Sequence, residues 1–322
     1  MVCPADSALA EWCREAGLAV HDADFPAFNA LPRALATLRR TRQVLGHVPA
    51  GELIVANSAR VQAYLFGASR LVRRHAPVIN LMHEQDSARR RTARFAYRRF
   101  GSLLVIGEAA AGAYRERLPG VEVRVANNFL LDEDSARFAA LRPRAPAQGP
   151  AALGCLGRMI PEKGLLELVE ELSADAVRPL WSRLLVAAFP QDERYERSLR
   201  ARIGELGLED VVRLEGPRPA EELLVEVDAL VVPSTGNEAQ PTVIVEALAA
   251  GVPVIVRSPL WSSAYEGLPV LDYGSRAALG TALERLPLPP ADTTAIARRF
   301  SAESFMAALQ AAASRTTTSA SF

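Results

Sequence analysis

Lysine is nearly absent from this chain. Of its 37 basic residues 36 are arginine, and the single lysine is Lys163. The two cations are not equivalent, because lysine offers a compact point charge on a slim flexible stem, so the place of this one lysine carries information. Cysteine is scarce as well: Cys3, Cys13 and Cys155 are odd in number and lack metal-ligand spacing, which argues against a disulfide framework and a zinc site. Apolar runs such as 151–156 and 252–256 fall far short of the ~20 residues a membrane-spanning helix needs. Nor does a signal peptide open the chain, since Asp6, Glu11, Arg14 and Glu15 stand where its apolar core belongs. The expectation is a cytoplasmic protein.

What is present suffices for two cores. The 322 residues are 49% hydrophobic and 23% charged, more chain than the ~250 residues one core organises. The net charge of zero hides an asymmetry: residues 1–150 carry 21 Arg against 14 acidic residues, and residues 151–322 carry 16 basic against 23 acidic ones. A basic first half suits an acidic acceptor or a membrane surface, although solvated helix faces account for most such charge.

Strand and helix signals alternate. In the second half, apolar strand-like runs at 151–156, 184–188, 211–214, 229–232 and 252–256 are separated by helical patterns at 164–172, 194–206, 220–227 and 242–250. Short apolar strands between amphipathic helices imply a parallel sheet covered on both faces, a Rossmann-like doubly wound domain. The first half repeats the theme with strands near 53–56, 78–81, 103–106 and 121–125 and helices near 59–74, 87–100 and 109–118. Three prolines in 142–150 mark a linker. The expected organisation is therefore an α/β chain with domains at 1–141 and 151–313 and a mobile tail at 314–322.

In such folds ligands bind at the carboxyl ends of the strands. The first strand of the second domain runs into Gly157-Arg158-Met159-Ile160-Pro161-Glu162-Lys163-Gly164, so the sole lysine and an arginine flank a strand-to-helix turn. Glycines at both ends and a helix start suit a phosphate or diphosphate, although the strict P-loop order is absent. The fourth strand runs into Pro233-Ser234-Thr235-Gly236-Asn237-Glu238-Ala239-Gln240-Pro241, followed by an apolar helix that contains Glu246. Proline at the helix start leaves the amides of Thr242 and Val243 open to an anion. A carboxylate such as Glu246 among Val, Ile, Ala and Leu needs a partner, whether a ligand, solvent or an internal arginine. Asp132-Glu133-Asp134 has D-x-D form, which binds divalent ions elsewhere, but its place near the linker reads as an exposed acidic turn.

These two segments together resemble the retaining GT-B glycosyltransferases of glycosyltransferase family 4, also called glycosyl transferases group 1. Both motifs occur in order, each at its strand end, and the likeness extends over most of 50–313, including V-R-L-E-G-P-R-P-A-E-E-L and L-V-V-P-S. The resemblance implies two Rossmann-like domains facing a cleft and metal-independent, retaining transfer of a sugar from a nucleotide diphosphate, UDP-linked by expectation, to a hydroxyl acceptor. It implies that Arg158 and Lys163 hold the diphosphate, that Glu238 contacts the donor sugar, and that Glu246 contacts the ribose; the loop and helix-start readings add Gly157 and the amides of Thr242 and Val243 to the diphosphate site. In the first half, 78–84 looks like the family's strand ending in an active-site histidine, here His83, and 123–130 looks like the strand followed by Asn-Gly, with Asn128 in place of glycine. A histidine at a strand end, taken alone, is as often structural as catalytic.

The sequence also departs from the family. Phe189-Pro190-Gln191-Asp192 stands where a Gly-rich turn is usual, and Met1-Val2-Cys3-Pro4 looks like the end of the family's second strand, so the first strand and its Gly-rich loop are not in this sequence. Either the start site is misplaced, the remainder is supplied otherwise, or activity is impaired; the expectation for the chain as given is donor binding with weak or absent transfer. The gap also keeps two rivals open: another GT-B activity, such as an epimerase or phosphorylase, and a non-catalytic nucleotide-sugar-binding subunit. No cofactor beyond the nucleotide-sugar co-substrate is expected. The Arg-rich segment 87–100, with Phe95, Tyr97 and Phe100, could rest on an anionic membrane bearing a lipid-linked or polysaccharide acceptor, or be a surface helix with its aromatics inward. No recognition motif for nucleic acid accompanies the charge.

Overall fold

The computed structural model describes residues 2–3, 14, 21–22, 31–47, 54–56, 61, 64–65, 67, 78–82, 102–141, 143, 149–236 and 238–316. The chain divides into two compact units: Met1–Val105 with Ala111–Arg124 and Ala308–Phe322, and Ile106–Ala110 with Val125–Ala307. Residues 125–141, which the sequence places before the linker, thus cluster with the second unit.

The first unit is built on a four-stranded sheet in the order β3 (Ile54–Ala56), β4 (Val78–Met82), β5 (Ser102–Ile106) and β6 (Glu122–Ala126), with β3–β4 and β4–β5 parallel. A separate parallel pair joins β1 (Val2–Cys3) to β2 (His21–Asp22). All five residues of β4 are buried, as a strand covered on both faces requires. Helix α1 (Leu31–His47) was not anticipated; its Ala34, Thr37 and Thr41 are buried at helical spacing on one face. Helix α2 (Glu108–Arg117) follows β5 with Glu108 in its first turn and Arg115 and Arg117 in its last, complementing the helix dipole at both ends.

In the second unit, six strands form one sheet: β7 (Ala151–Met159), β8 (Trp181–Pro190), β9 (Val212–Leu214), β10 (Ala229–Val232), β11 (Val254–Arg257) and β12 (Val270–Tyr273). Their spatial order is β12-β11-β10-β7-β8-β9, and every neighbouring pair is parallel. The chain starts in the middle at β7, builds to one edge through β8 and β9, then returns to β10 and builds to the other. This is the doubly wound order, and its switch point lies between β7 and β10.

Helices cover both faces. On one, α4 (Leu165–Leu172), α5 (Glu193–Glu205) and α8 (Arg276–Glu284) pack residues such as Leu168, Leu199 and Leu279 against Leu153 and Leu184. On the other, α3 (Asp132–Ala139), α6 (Ala220–Leu224), α7 (Thr242–Ala249) and α9 (Thr293–Arg299) bring Phe138, Leu223, Ile244 and Ile296 to Leu230 and Val254. The two cores together lock the sheet, so its strand ends are rigid places from which to present side chains.

Several elements differ from the sequence reading. Strand β7 continues past Leu156 to Met159, carrying Arg158 on the strand itself, and β8 continues to Pro190, so Phe189 ends a strand rather than a turn. Asp132-Glu133-Asp134 is no loop: it is the first turn of α3, where three acids complement the helix dipole and Asp134 pairs with Arg137 at 2.8 Å. Helix α10 (Ala302–Thr316) runs into the segment expected to be a mobile tail. The Arg-rich 87–100 segment and most of 142–150 lie outside the described residues. Among the described residues no helix is long and apolar enough to cross a membrane.

Candidate functional site

At the switch point two loops leave neighbouring strands and brace one another. The first runs from the end of β7 through a 3-10 turn, Pro161–Lys163, to α4. The second runs from the end of β10 through residues 233–241 to α7. The Glu162 carbonyl accepts from the amides of Thr235 and Gly236 at 3.0 and 3.3 Å. Gly164 adopts φ of 67°, and a Cβ there would collide with the Pro233 carbonyl oxygen, so only glycine lets the loops approach this closely. The same carbonyl accepts from Arg257 Nε at 3.0 Å, and Arg257 in turn pairs with Glu171 at 2.8 Å and stacks over Tyr273. Arg257 is a supporting residue that the sequence reading missed; an arginine closing the apolar strand V-I-V-R was its only trace.

Lys163 and Glu238 meet here. Their ammonium and carboxylate form an ion pair through Oε1, and the Ser234 hydroxyl donates to the other oxygen, Oε2, at 2.8 Å. The two side chains are only 16% and 19% exposed, so the pair is partly desolvated and breaking it by removing one partner is costly. The Lys163 stem crosses Gly157, its Cε lying 3.6 Å from where a Cβ would stand. A small pocket opens beside it, lined by residues that include Cys155, Gly157, Arg158, Lys163, Ser234 and Val243. Arg158 is exposed and reaches Gln191 Oε1 at 3.5 Å.

The helix starts beside this pocket are not alike. At α4 the Leu166 amide already donates to the Tyr195 hydroxyl at 3.1 Å. At α7 Pro241 provides no side-chain cap, and the amides of Thr242 and Val243 precede the first residue that can bond back within the helix. Thr242, Val243 and Glu246 form the face of α7 left open, while Ile244, Val245, Ala247 and Leu248 are buried. Glu246 thus lies one turn beyond Val243 on the same face. Burial raises its pKa above the ordinary carboxylate value; nearby Glu221 and Asp134 push the same way, and Arg137 opposes them. The Cys155 thiol is wholly buried and its pKa is driven upward by burial alone, which removes it as a nucleophile.

The structure therefore brings Gly157, Arg158, Lys163 and Val243 to one pocket and pairs Glu238 with Lys163, while Thr242 and Glu246 share the open face of α7 with Val243 and are not among the pocket's lining residues. His83 lies outside the described residues. Among the described residues no group of three or more His, Cys, Asp or Glu gathers as metal ligands do.

Comparison with known proteins bears on this region. Residues 150–284 match the family model described as glycosyl transferases group 1. The chain is 28% identical over 187 residues to the putative colanic acid biosynthesis glycosyltransferase WcaL of Salmonella typhimurium, covering 54% of this chain and 42% of that protein. It is 27% identical over 218 residues to WcaL of Escherichia coli, covering 64% and 48%. The chain thus spans less than half the length of the curated relatives it matches. In structure it resembles Anabaena Alr3699/HepE in complex with UDP, with a TM-score of 0.68 at 20% identity over 98% of this chain and 91% of that one. The fold is that of the GT-B glycosyltransferases.

Proposed function

We propose that this chain binds a nucleotide-diphosphate sugar, UDP-linked by preference, at the carboxyl ends of β7 and β10 and transfers the sugar to a hydroxyl acceptor with retention. The observation that carries this reading is that Arg158, Lys163 and Val243, in the uncapped first turn of α7, line one pocket, with Glu238 paired to Lys163 at its side. The UDP held by HepE and the polysaccharide role in WcaL's name support the choice of donor and acceptor class.

The chemistry follows from charge. When the bond from the anomeric carbon to the diphosphate breaks, positive charge grows on the sugar and negative charge on the leaving group; a new bond to the acceptor oxygen forms and the hydroxyl proton passes to the departing diphosphate. Fixed donors at the phosphates stabilise that separation. In this reading Arg158, Lys163 and the amides of Thr242 and Val243 supply them without a metal, over Gly157. Glu238 faces the donor sugar and Glu246, one helical turn along, the ribose hydroxyls. Because Lys163 starts out paired with Glu238, the incoming diphosphate draws the ammonium away and frees Oε1 for a sugar hydroxyl. His83 is assigned to the sugar or the transition state, and segment 87–100 to an anionic membrane carrying a lipid-linked or polysaccharide acceptor.

The test is a thermal-shift panel of UDP-, GDP- and ADP-sugars, with and without a chelator. A ligand at 100 times its dissociation constant stabilises by ~2.7 kcal/mol. The reading expects a shift with at least one of them that survives chelation. No shift with any would reject the donor site, and loss on chelation would reject metal independence.

A further inference from the structure

The loop that carries Glu238 is held from behind by two asparagines more than a hundred residues away in sequence. Gln240, only 5% exposed, lies two residues past Glu238 and immediately before Pro241. Its Oε1 accepts from the Asn128 backbone amide at 2.6 Å, and its Nε2 donates to Asn127 Oδ1 at 3.3 Å. Its backbone carbonyl accepts from Asn128 Nδ2 at 2.5 Å. Gly107, at φ of 78°, completes the seat: a Cβ there would lie 2.8 Å from the Ala239 carbonyl oxygen and 3.0 Å from Gln240 Cβ. The far side of the asparagine segment is also tied down, since Leu130 donates to the Phe300 carbonyl at 3.0 Å and Phe129 packs on Phe305.

We infer that Gln240, with Asn127 and Asn128, is a positioning clamp that fixes the Glu238 carboxylate for turnover of the donor. This rests on the donor reading given above. A glycine at position 128, as in the pattern the sequence otherwise resembles, keeps the backbone bond to Gln240 Oε1 and lacks the side-chain bond to its carbonyl; asparagine there supplies both. The clamp acts on the loop and not on α7, because that helix is anchored independently by Ile244, Val245, Ala247 and Leu248 in the core. Loosening it therefore displaces Glu238 while leaving the amides of Thr242 and Val243 where they are. Small displacements of a reacting group are costly: about 1 Å is worth up to ~100-fold in rate.

The test uses the full chain and compares Gln240→Leu, which removes both side-chain bonds at similar volume, with Asn128→Gly, which removes only the bond to the carbonyl. UDP affinity, donor turnover (transfer or hydrolysis) and amide hydrogen exchange across 234–249 are measured for each. Gln240→Leu is expected to lower kcat roughly tenfold or more, with UDP affinity unchanged, faster exchange at 238–241 and unchanged exchange in α7. Asn128→Gly is expected to do the same to a smaller degree, and it carries the test alone if Gln240→Leu does not fold. Unchanged exchange at 238–241 would overturn the clamp whatever the activity. Faster exchange with unchanged kcat, or a loss of UDP affinity matching the loss of kcat, would overturn its positioning role. Failure of the wild-type chain to bind any nucleotide would instead reject the donor reading and, with it, the kinetic half of this inference.

Discussion

Glu238 and Glu246 are separated by seven residues, and the segments around them treat a carboxylate in opposite ways. Glu238 sits in a loop where both of its oxygens are engaged, one by the Lys163 ammonium and one by the Ser234 hydroxyl. Glu246 sits on a helix among apolar residues, with carboxylates of α3 and α6 nearby and its pKa raised by burial first and by Glu221 and Asp134 second. The loop gives its carboxylate two partners before any ligand arrives; the helix leaves its carboxyl partly buried among other acids. In a donor site these are complementary states, because a ligand must compete for the first and can relieve the second.

The largest expected effect comes from breaking the loop side. Lys163→Ala would take away the cation proposed for the diphosphate and strand Glu238, so UDP affinity should fall by ~1.5–3 kcal/mol, roughly 10- to 150-fold. Isothermal titration measures this directly. Glu238→Gln sharpens the comparison, because it releases Lys163 from its partner. Turnover should drop strongly while UDP binding holds or tightens; a parallel loss of both would mean that Glu238 serves only to hold the loop.

On the helix side the sign is set by linkage. A carboxyl whose pKa is raised on folding binds its proton more firmly in the folded chain, so its stabilising effect is full below the unfolded value and is lost as pH rises through the raised one. Glu246→Gln should therefore raise the melting temperature at neutral pH and flatten its decline from acid to neutral, while weakening nucleotide binding. A melting curve at several pH values reads the first effect and titration with UDP the second. Arg158→Ala should do least. Arg158 is exposed and makes one long contact with Gln191, so its loss should weaken UDP by a few-fold and leave stability unchanged.

The same contrast marks what the sequence made legible. The doubly wound unit could be read because its strands are short unbroken apolar runs, such as Ala-Leu-Val-Val at 229–232, set between amphipathic helices. The chemistry-bearing residues could be read because they punctuate those runs: a lone lysine after a glycine, a glutamate inside an apolar helix. What stayed hidden were polar residues whose partners are distant in sequence. Lys163 and Glu238 appeared as separate groups for phosphate and sugar, and nothing local said that they pair. The clamp at Gln240 was invisible for the same reason; its one trace was Asn128 where glycine was expected. The acidic run at 132–134 read as a turn because charge alone does not separate a loop from the first turn of a helix, which favours the same residues. Strand ends slipped outward because Arg158 and Pro190 look like loop residues, yet the register of β7 against β8 carries through both.

The central claim is that Lys163 exchanges Glu238 for the donor diphosphate. A double-mutant cycle on UDP affinity tests it most directly, using the wild-type chain, Lys163→Ala, Glu238→Gln and the double variant. If the exchange occurs, Lys163→Ala costs more UDP affinity when residue 238 is glutamine than when it is glutamate, because only in the latter case must the lysine first give up its partner. Equal UDP affinity in all four proteins would contradict the claim and move the diphosphate away from this pair.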